Sequence, residues 1–365
     1  MIILAAAIIL SLSNSGIISK ANKAKTDSDT ANLKEYVNTL RAEWELMTDA
    51  ERTASGSITF EDYANKKLEA NGYNVMLSDD GVLMNEAATA AVKAGIKVGD
   101  VVTKYKVSEN TYETSGEENT APSSTETDPT KQTVTANTKL TWKYLGVNAN
   151  GELEIMADFG TAVAADNTKV KLSGKGGYLK GPEMLNTICE KLYSVSGVGT
   201  ARSMNINDVN NILGYTGPKG TYYDTDYNTV TTAEPLTIGE IESKLGTTLS
   251  QRKTPDGKDI AMYYSDYYEI ISKTSTDIKN TANTSLVCNT KNTYWLATPC
   301  VRATFGYGFA SFDVRGVDSN GVGAYGLCNS DGRSRGKIAA VRPVVTLSSN
   351  VKLTPNADKT EWSIN

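Results

Sequence analysis

Tyr294-Trp295-Leu296 through Val341-Arg342-Pro343-Val344-Val345 sets apolar residues at strand spacing around a run of small, polar and aromatic ones. Phe312, Val314 and Val317 read as buried anchors. Arg302, Thr304, Phe305, Tyr307, Phe309, Asp313, Arg315, Asp318, Tyr325, Asn329, Asp331, Arg333 and Arg335 read as side chains held out to solvent. A stiff core that presents aromatic and forked cationic groups is a common way to recognise a partner, so this stretch points to ligand binding rather than catalysis.

Turn signals recur at hairpin intervals, first Asp318-Ser319-Asn320-Gly321 and then Asn329-Ser330-Asp331-Gly332, which implies short antiparallel strands. The apolar run Val341 to Leu347 closes the series, and Pro343 requires an edge or a strand start. Arg342 beside it is expected as a partly buried guanidinium holding loop carbonyls. Upstream, Thr141–Val147 and Glu152–Met156 alternate around Asn150-Gly151, a strong hairpin signal. Leu185, Ile188 and Leu192 put one apolar face on a helix that carries Cys189, and a second helix follows, with Asn207 as its expected cap. Val98 to Val107 reads as a strand. Residues 108–137 are rich in Thr, Ser, Glu and Pro and read as an exposed loop, and residues 214–293 as a long surface insertion.

At the amino end, Ile2, Ile3, Leu4, Ile8, Ile9, Leu10 and Leu12 make an apolar run. It is about half of the roughly 20 residues that cross a bilayer core. No positive charge precedes Ile2, as a secretory signal would require. Leu33, Val37, Leu40, Trp44 and Met47 then recur at spacings of four and three, an amphipathic helix whose stripe must pack on something. The segment Phe60 to Leu68 is a shorter amphipathic stretch.

The chain has 365 residues, a net charge of -5 and no histidine. The acidic balance argues against general nucleic-acid binding. The absence of histidine excludes Ser-His-Asp and Cys-His catalysis and the usual metal ligand. Cys189, Cys288, Cys300 and Cys328 lie far apart without a C-x-x-C pair, which leaves either disulfides or buried thiols. Between Cys300 and Arg342 six basic residues (Arg302, Arg315, Arg333, Arg335, Lys337, Arg342) face three acidic ones (Asp313, Asp318, Asp331), an excess of +3 that suits a carboxylate-bearing ligand. For an enzyme, Asp313 with Asp331 or Asp318 could in principle supply paired carboxylates at the about 5–9 Å such chemistry needs.

The apolar start running into the Leu33–Met47 stripe resembles the stem of type IV pilins, whose leading helices bundle into a filament. The basic leader, the cleavage site after Gly and the Glu of pilins are not seen before or within Met1–Leu12. This reads as a chain that begins inside the pilin helix, with an ordinary membrane anchor or signal remnant as the alternative. Ala201-Arg202-Ser203, Tyr294-Trp295-Leu296-Ala297, Phe312-Asp313-Val314-Arg315, Gly321-Val322, Ser330-Asp331-Gly332 and Val341–Val345 resemble a domain of surface proteins of gut-dwelling Gram-positive bacteria and their phages. That domain is related to the C-type lectin-like fold of formylglycine-generating enzymes, and some of its copies are targets of diversity-generating retroelements. The copper-binding cysteine pair and the calcium signatures of these relatives have no counterpart, so the resemblance carries over no activity, cofactor or metal.

Together these readings give an α+β expectation: a long pilin-like helix and a C-type lectin-like head with short antiparallel strands, two or more helices and long loops. The expected domains are a stem over 1–50, a connector over 51–89, a head over 90–350 and a tail over 351–365. Filament assembly is expected through Ile2, Ile3, Leu4, Ile8, Ile9, Leu10, Leu12, Leu33, Val37, Leu40 and Trp44. The partners expected are the chain itself, the membrane before assembly and a host-cell, microbial or phage surface ligand, but no nucleic acid. The resulting reading is an extracellular, non-enzymatic filament subunit that displays a binding domain. A phage receptor-binding protein or a purely structural subunit are the alternatives.

Overall fold

The structure, a computed structural model, describes residues 17–57, 59–116, 131–218, 220–223, 229–232, 243, 251–253, 259–261, 264–266, 271–272, 274–288, 291–303, 310–329 and 334–365. The chain divides into two units: the first runs to Ala90 and takes in Ala149–Gly151, and the second holds Ala91–Asn148 and Glu152–Asn365. Each has a hydrophobic core of its own.

The first unit holds helices α1 (Ile17–Leu46), α2 (Asp49–Ala54) and α3 (Phe60–Ala70), the short hairpin β1 (Met76–Leu77) and β2 (Leu83–Met84), and the start of α4 (Glu86–Ala94). Thr48 stops one helix and starts the next. Its hydroxyl accepts from Glu51 N at 3.3 Å, and the Glu51 carboxylate accepts from Thr48 N at 2.8 Å, which closes a capping box. The stripe Val37, Leu40 and Trp44 is buried with Phe60, Tyr63, Ala64 and Leu68 of α3, and the Trp44 and Tyr63 rings lie 5.4 Å apart. Asn65 ties the hairpin to this core, donating to Leu77 O at 3.0 Å and accepting from Leu77 N at 2.6 Å.

This packing overturns the pilin-stem expectation. The face that would enter a filament is spent inside the unit, with Val37, Leu40 and Trp44 buried and Leu33 half-buried against the same core. The first half of α1 is polar, with Lys20, Lys23, Lys25, Asp27 and Asp29 along it, and no helix among the described residues is long and apolar enough to cross a membrane. Among the described residues, the expected self-assembly through this helix, membrane stage and pilus location therefore have no structural basis. Ile2, Ile3, Leu4, Ile8, Ile9, Leu10 and Leu12 lie outside the described residues.

In the second unit the strands are β3 (Val101–Thr103), β4 (Thr111–Glu113), β5 (Thr133–Thr135), β6 (Thr141–Val147), β7 (Leu153–Asp158), β8 (Lys169–Ser173) and β9 (Gly199–Ser203). They continue as β10 (Gly220–Tyr223), β11 (Thr229–Thr232), β12 (Gln251–Lys253), β13 (Asp259–Ala261), β14 (Tyr264–Asp266), β15 (Ile271–Ser272), β16 (Tyr294–Ala303), β17 (Ala310–Asp318) and β18 (Gly321–Asn329). The last four are β19 (Gly336–Ala340), β20 (Pro343–Leu347), β21 (Leu353–Pro355) and β22 (Glu361–Ile364). Helices α5 (Gly174–Tyr193), α6 (Ile206–Leu213) and α7 (Thr284–Cys288) lie among them. One open sheet has seven strands in the order β21-β22-β3-β6-β7-β20-β9, and another has nine, running β11-β10-β14-β16-β17-β18-β15 with β19 and β8 attached beside β16.

These open sheets replace the expected C-type lectin-like head, and the class remains α+β. The expected tail instead forms β21 and β22. Trp362 is fully buried, donates to Asp100 Oδ2 at 3.1 Å, and belongs to a strand parallel to β3. The expected loop 108–137 begins and ends in a β4–β5 ladder, and its residues 117–130 lie outside the described residues. The second helix is capped by Asn205, whose side chain accepts from Asn207 N and Asp208 N, and not by Asn207. Helix α5 buries Leu185, Ile188, Cys189 and Leu192 and packs on β9 and β16–β18. Its side chains also blunt the β9 edge, since Ser194 Oγ accepts from Ala201 N at 2.9 Å and Asn186 Oδ1 from Ser203 N at 3.0 Å.

Candidate functional site: a basic face at the start of the long helix

Strand β8 turns directly into α5 through Gly174, whose φ of +63° favours glycine. Gly174 N donates to Arg335 O at 3.0 Å, which ties the start of β19 to the start of the helix. The β8–β19 ladder then pairs Gly336 with Ser173, Lys337 with Leu172 and Ile338 with Lys171. This topology brings Lys175, Arg335 and Lys337 to the start of the helix, whereas Lys171, paired with Ile338, points to the other side of the ladder from Lys337, which pairs with Leu172. Lys175, Arg335 and Lys337 are exposed, and none has a carboxylate partner among the described residues; Lys171 is half-buried. Lys337 holds its ammonium 5.0 Å over the Tyr325 ring, and Tyr325 stands edge-on to Trp295 at 5.5 Å. Trp295 in turn donates to Val170 O at 2.9 Å, so the platform under Lys337 is anchored in the core. Gln132 clasps the Lys171 backbone, donating to its carbonyl at 2.8 Å and accepting from its N–H at 2.7 Å.

The residues proposed from the sequence scatter around this face. Arg302 pairs in register with Ser311, and Ser311 with Asn329, so these positions lie side by side across β16, β17 and β18. Asp313, Arg315 and Asn329 are inside the protein, against the expectation that they face solvent. The reason is position: β17 is a central strand flanked by β16 and β18, so a polar alternation there does not mark a wet face. The Ser311 hydroxyl donates to the buried Asp313 carboxylate. Asp318 is half-buried at the other end of β17, about 16 Å beyond Asp313 at strand rise, where its carboxylate accepts from Asn320 N at 2.7 Å. The pair Asp313–Asp318 is therefore too far apart for two-carboxylate chemistry. Tyr325 is half-buried and Arg335 exposed. Thr304, Phe305, Tyr307, Phe309, Asp331 and Arg333 lie outside the described residues.

Of the six cations counted between Cys300 and Arg342, Arg315 and Arg342 are interior. Arg342 donates to Ala157 O at 2.9 Å, Tyr294 Oη at 2.9 Å and Leu286 O at 2.6 Å, the carbonyl-holding role expected for it, though more deeply buried. Arg202 is likewise structural: it forks onto Asp208 at 2.7 and 2.8 Å and reaches Glu154 at 2.9 Å. All four cysteines are buried free thiols. Burial, reinforced by nearby Asp313 and opposed by Lys175, pushes the Cys328 thiol up to about 12. Burial also pushes the Tyr294 phenol up to about 12, and burial with Asp318 does the same to Tyr325.

Sequence reading missed Lys175 because Gly174-Lys175-Gly176-Gly177 reads as loop. The lysines spaced through Lys169–Lys180 were the available signal. No protein-family model, no curated protein and no solved structure matches this chain, so the resemblances to pilins, to lectin-like domains and to retroelement targets give it no family.

Proposed function

We propose that the second unit is a non-catalytic binding module and that Lys175, Arg335 and Lys337 take a carboxylate-rich segment of a partner. The observation that carries this reading is the gathering of three exposed cations without carboxylate partners among the described residues, on a chain whose net charge is -5. The positive end of the α5 macrodipole adds to the same field. Beside this face, Cys328 and Tyr325 are held protonated far above neutral pH by burial, which removes those two groups as acid–base candidates.

The test is calorimetric titration of the full chain with a poly-glutamate peptide, at low and high salt. Binding should weaken with salt, because exposed charges are screened beyond a Debye length of about 8–10 Å. The triple variant K175E/R335E/K337E alters only exposed side chains and should bind at least about tenfold more weakly with an unchanged circular dichroism spectrum. Equal affinity for the folded variant, or no binding by the wild type, would reject the reading.

A further inference from the structure

Another part of the second unit holds a pocket of about 290 Å³, lined by the segment Tyr105–Val107, by Asn137, Thr138 and Leu140, and by Trp142. Its volume lies at the lower end of small-molecule sites, which run from about 300 to 1,000 Å³. Its walls are set in advance. Tyr105 donates to Tyr193 O at 2.7 Å, Asn137 N donates to Tyr193 Oη at 3.0 Å, and the Tyr105 and Trp142 rings meet edge-on at 4.7 Å. Burial pushes both phenols well above their ordinary range, so these hydroxyls stay protonated and committed to the frame. A pocket that does not have to order itself loses less on binding.

Three lining side chains, Lys106, Asn137 and Thr138, can donate to a ligand. Lys106 is exposed at the rim, with no ion-pair partner among the described residues. Asn137 Oδ1 is occupied by Lys139 N at 3.1 Å, which leaves its Nδ2 donor, and Thr138 adds a hydroxyl. No carboxylate among the described residues lines the pocket, and Val107, Leu140 and Trp142 are its apolar lining. A cation and donors in one pocket with aromatic and aliphatic side chains select a ligand that combines an acid group with a flat hydrocarbon body.

We infer that this pocket is a binding site for a small organic anion of the aromatic carboxylate class, separate from the basic face at α5. The experiment is an NMR titration of the full chain with benzoate, with benzyl alcohol as the uncharged comparison. Benzoate should shift the Asn137, Thr138 and Leu140 amides and bind at least about tenfold more tightly than benzyl alcohol. Lys106→Glu, a rim substitution, should abolish the preference for the anion, and Leu140→Trp should fill the cavity and abolish both titrations. Shifts confined to other residues, equal binding of the two compounds, or benzoate binding that survives Lys106→Glu unchanged would each overturn the proposal. The triple variant K175E/R335E/K337E should titrate with benzoate as the wild type does, and a loss there would assign the anion to the other site.

Discussion

Arg342 is a guanidinium at 1% exposure whose nitrogens are engaged by two carbonyls and a phenol. A buried donor of this kind is costly to remove, because the acceptors left behind lose their partners without regaining water. Arg342→Met should destabilise the protein by at least about 2 kcal/mol in urea unfolding, and Arg342→Lys should recover only part of it, since an ammonium cannot span the fork. Asp158 behaves differently. Burial alone would raise its pKa, but the Lys143 ammonium at 2.9 Å and the Gly160 N–H at 3.1 Å outweigh burial and hold it below the ordinary carboxylate value. A folded-state pKa below the unfolded one means that the stabilisation is present above the unfolded value and is lost as pH falls through the folded one. The stability gap between wild type and Asp158→Asn should therefore be full near neutrality and close below about pH 4, as read from urea midpoints across pH. At this scale Arg342 was legible, because a cation wedged into Val341–Leu347 beside Pro343 has to satisfy itself with backbone. Asp313 and Arg315 were not, because alternation cannot distinguish a solvent face from a second buried one.

Helix α5 is the element that sequence reading half found. Leu185, Ile188 and Leu192 give its carboxy-terminal half away, but Gly174, Gly176, Gly177, Gly181 and Pro182 depress intrinsic propensity over the first half. Tertiary packing overrides that propensity because the helix must approach β8 closely. A Cβ on Gly181 would lie 2.9 Å from Leu172 Cδ1, closer than packed atoms tolerate. Gly181→Ala should therefore cost about 1 kcal/mol or more despite the better helix former. In a Leu172→Ala background the same substitution should become stabilising by about 0.5–1 kcal/mol, a sign change that a double-mutant cycle reads directly. The β6–β7 hairpin was legible from Asn150-Gly151 between alternating runs, although its second strand runs Leu153–Asp158 rather than Glu152–Met156 and the ladder shifts register at Tyr144/Gly146.

For the molecule as a whole, the two cores make the units energetically distinct. Leu40, at 1% exposure, sits in the core that includes Phe60, Tyr63 and Leu68, and Leu40→Ala should cost about 2–5 kcal/mol there. Hydrogen exchange should accelerate across Phe60–Ala70 and stay unchanged in β16–β18; equal acceleration in both would show a single cooperative core. The Leu33–Met47 stripe was visible in the sequence, but its partner was not. A periodic apolar face specifies that it must be covered, not by what, and here the cover is the next amphipathic segment rather than another copy of the chain.

Strand β22 lies alongside β3 with Trp362 opposite Val102, so the seven-stranded sheet joins residues some 260 positions apart. On a ribosome β3 emerges long before its neighbour exists, and its outer rim stays open while the rest of the unit is being made. Long-range pairing of this kind is slow and leaves nascent chains prone to aggregate. Production should therefore be limited by what shields that rim during translation, and nascent chains released before Glu361 should be recovered mainly as insoluble material.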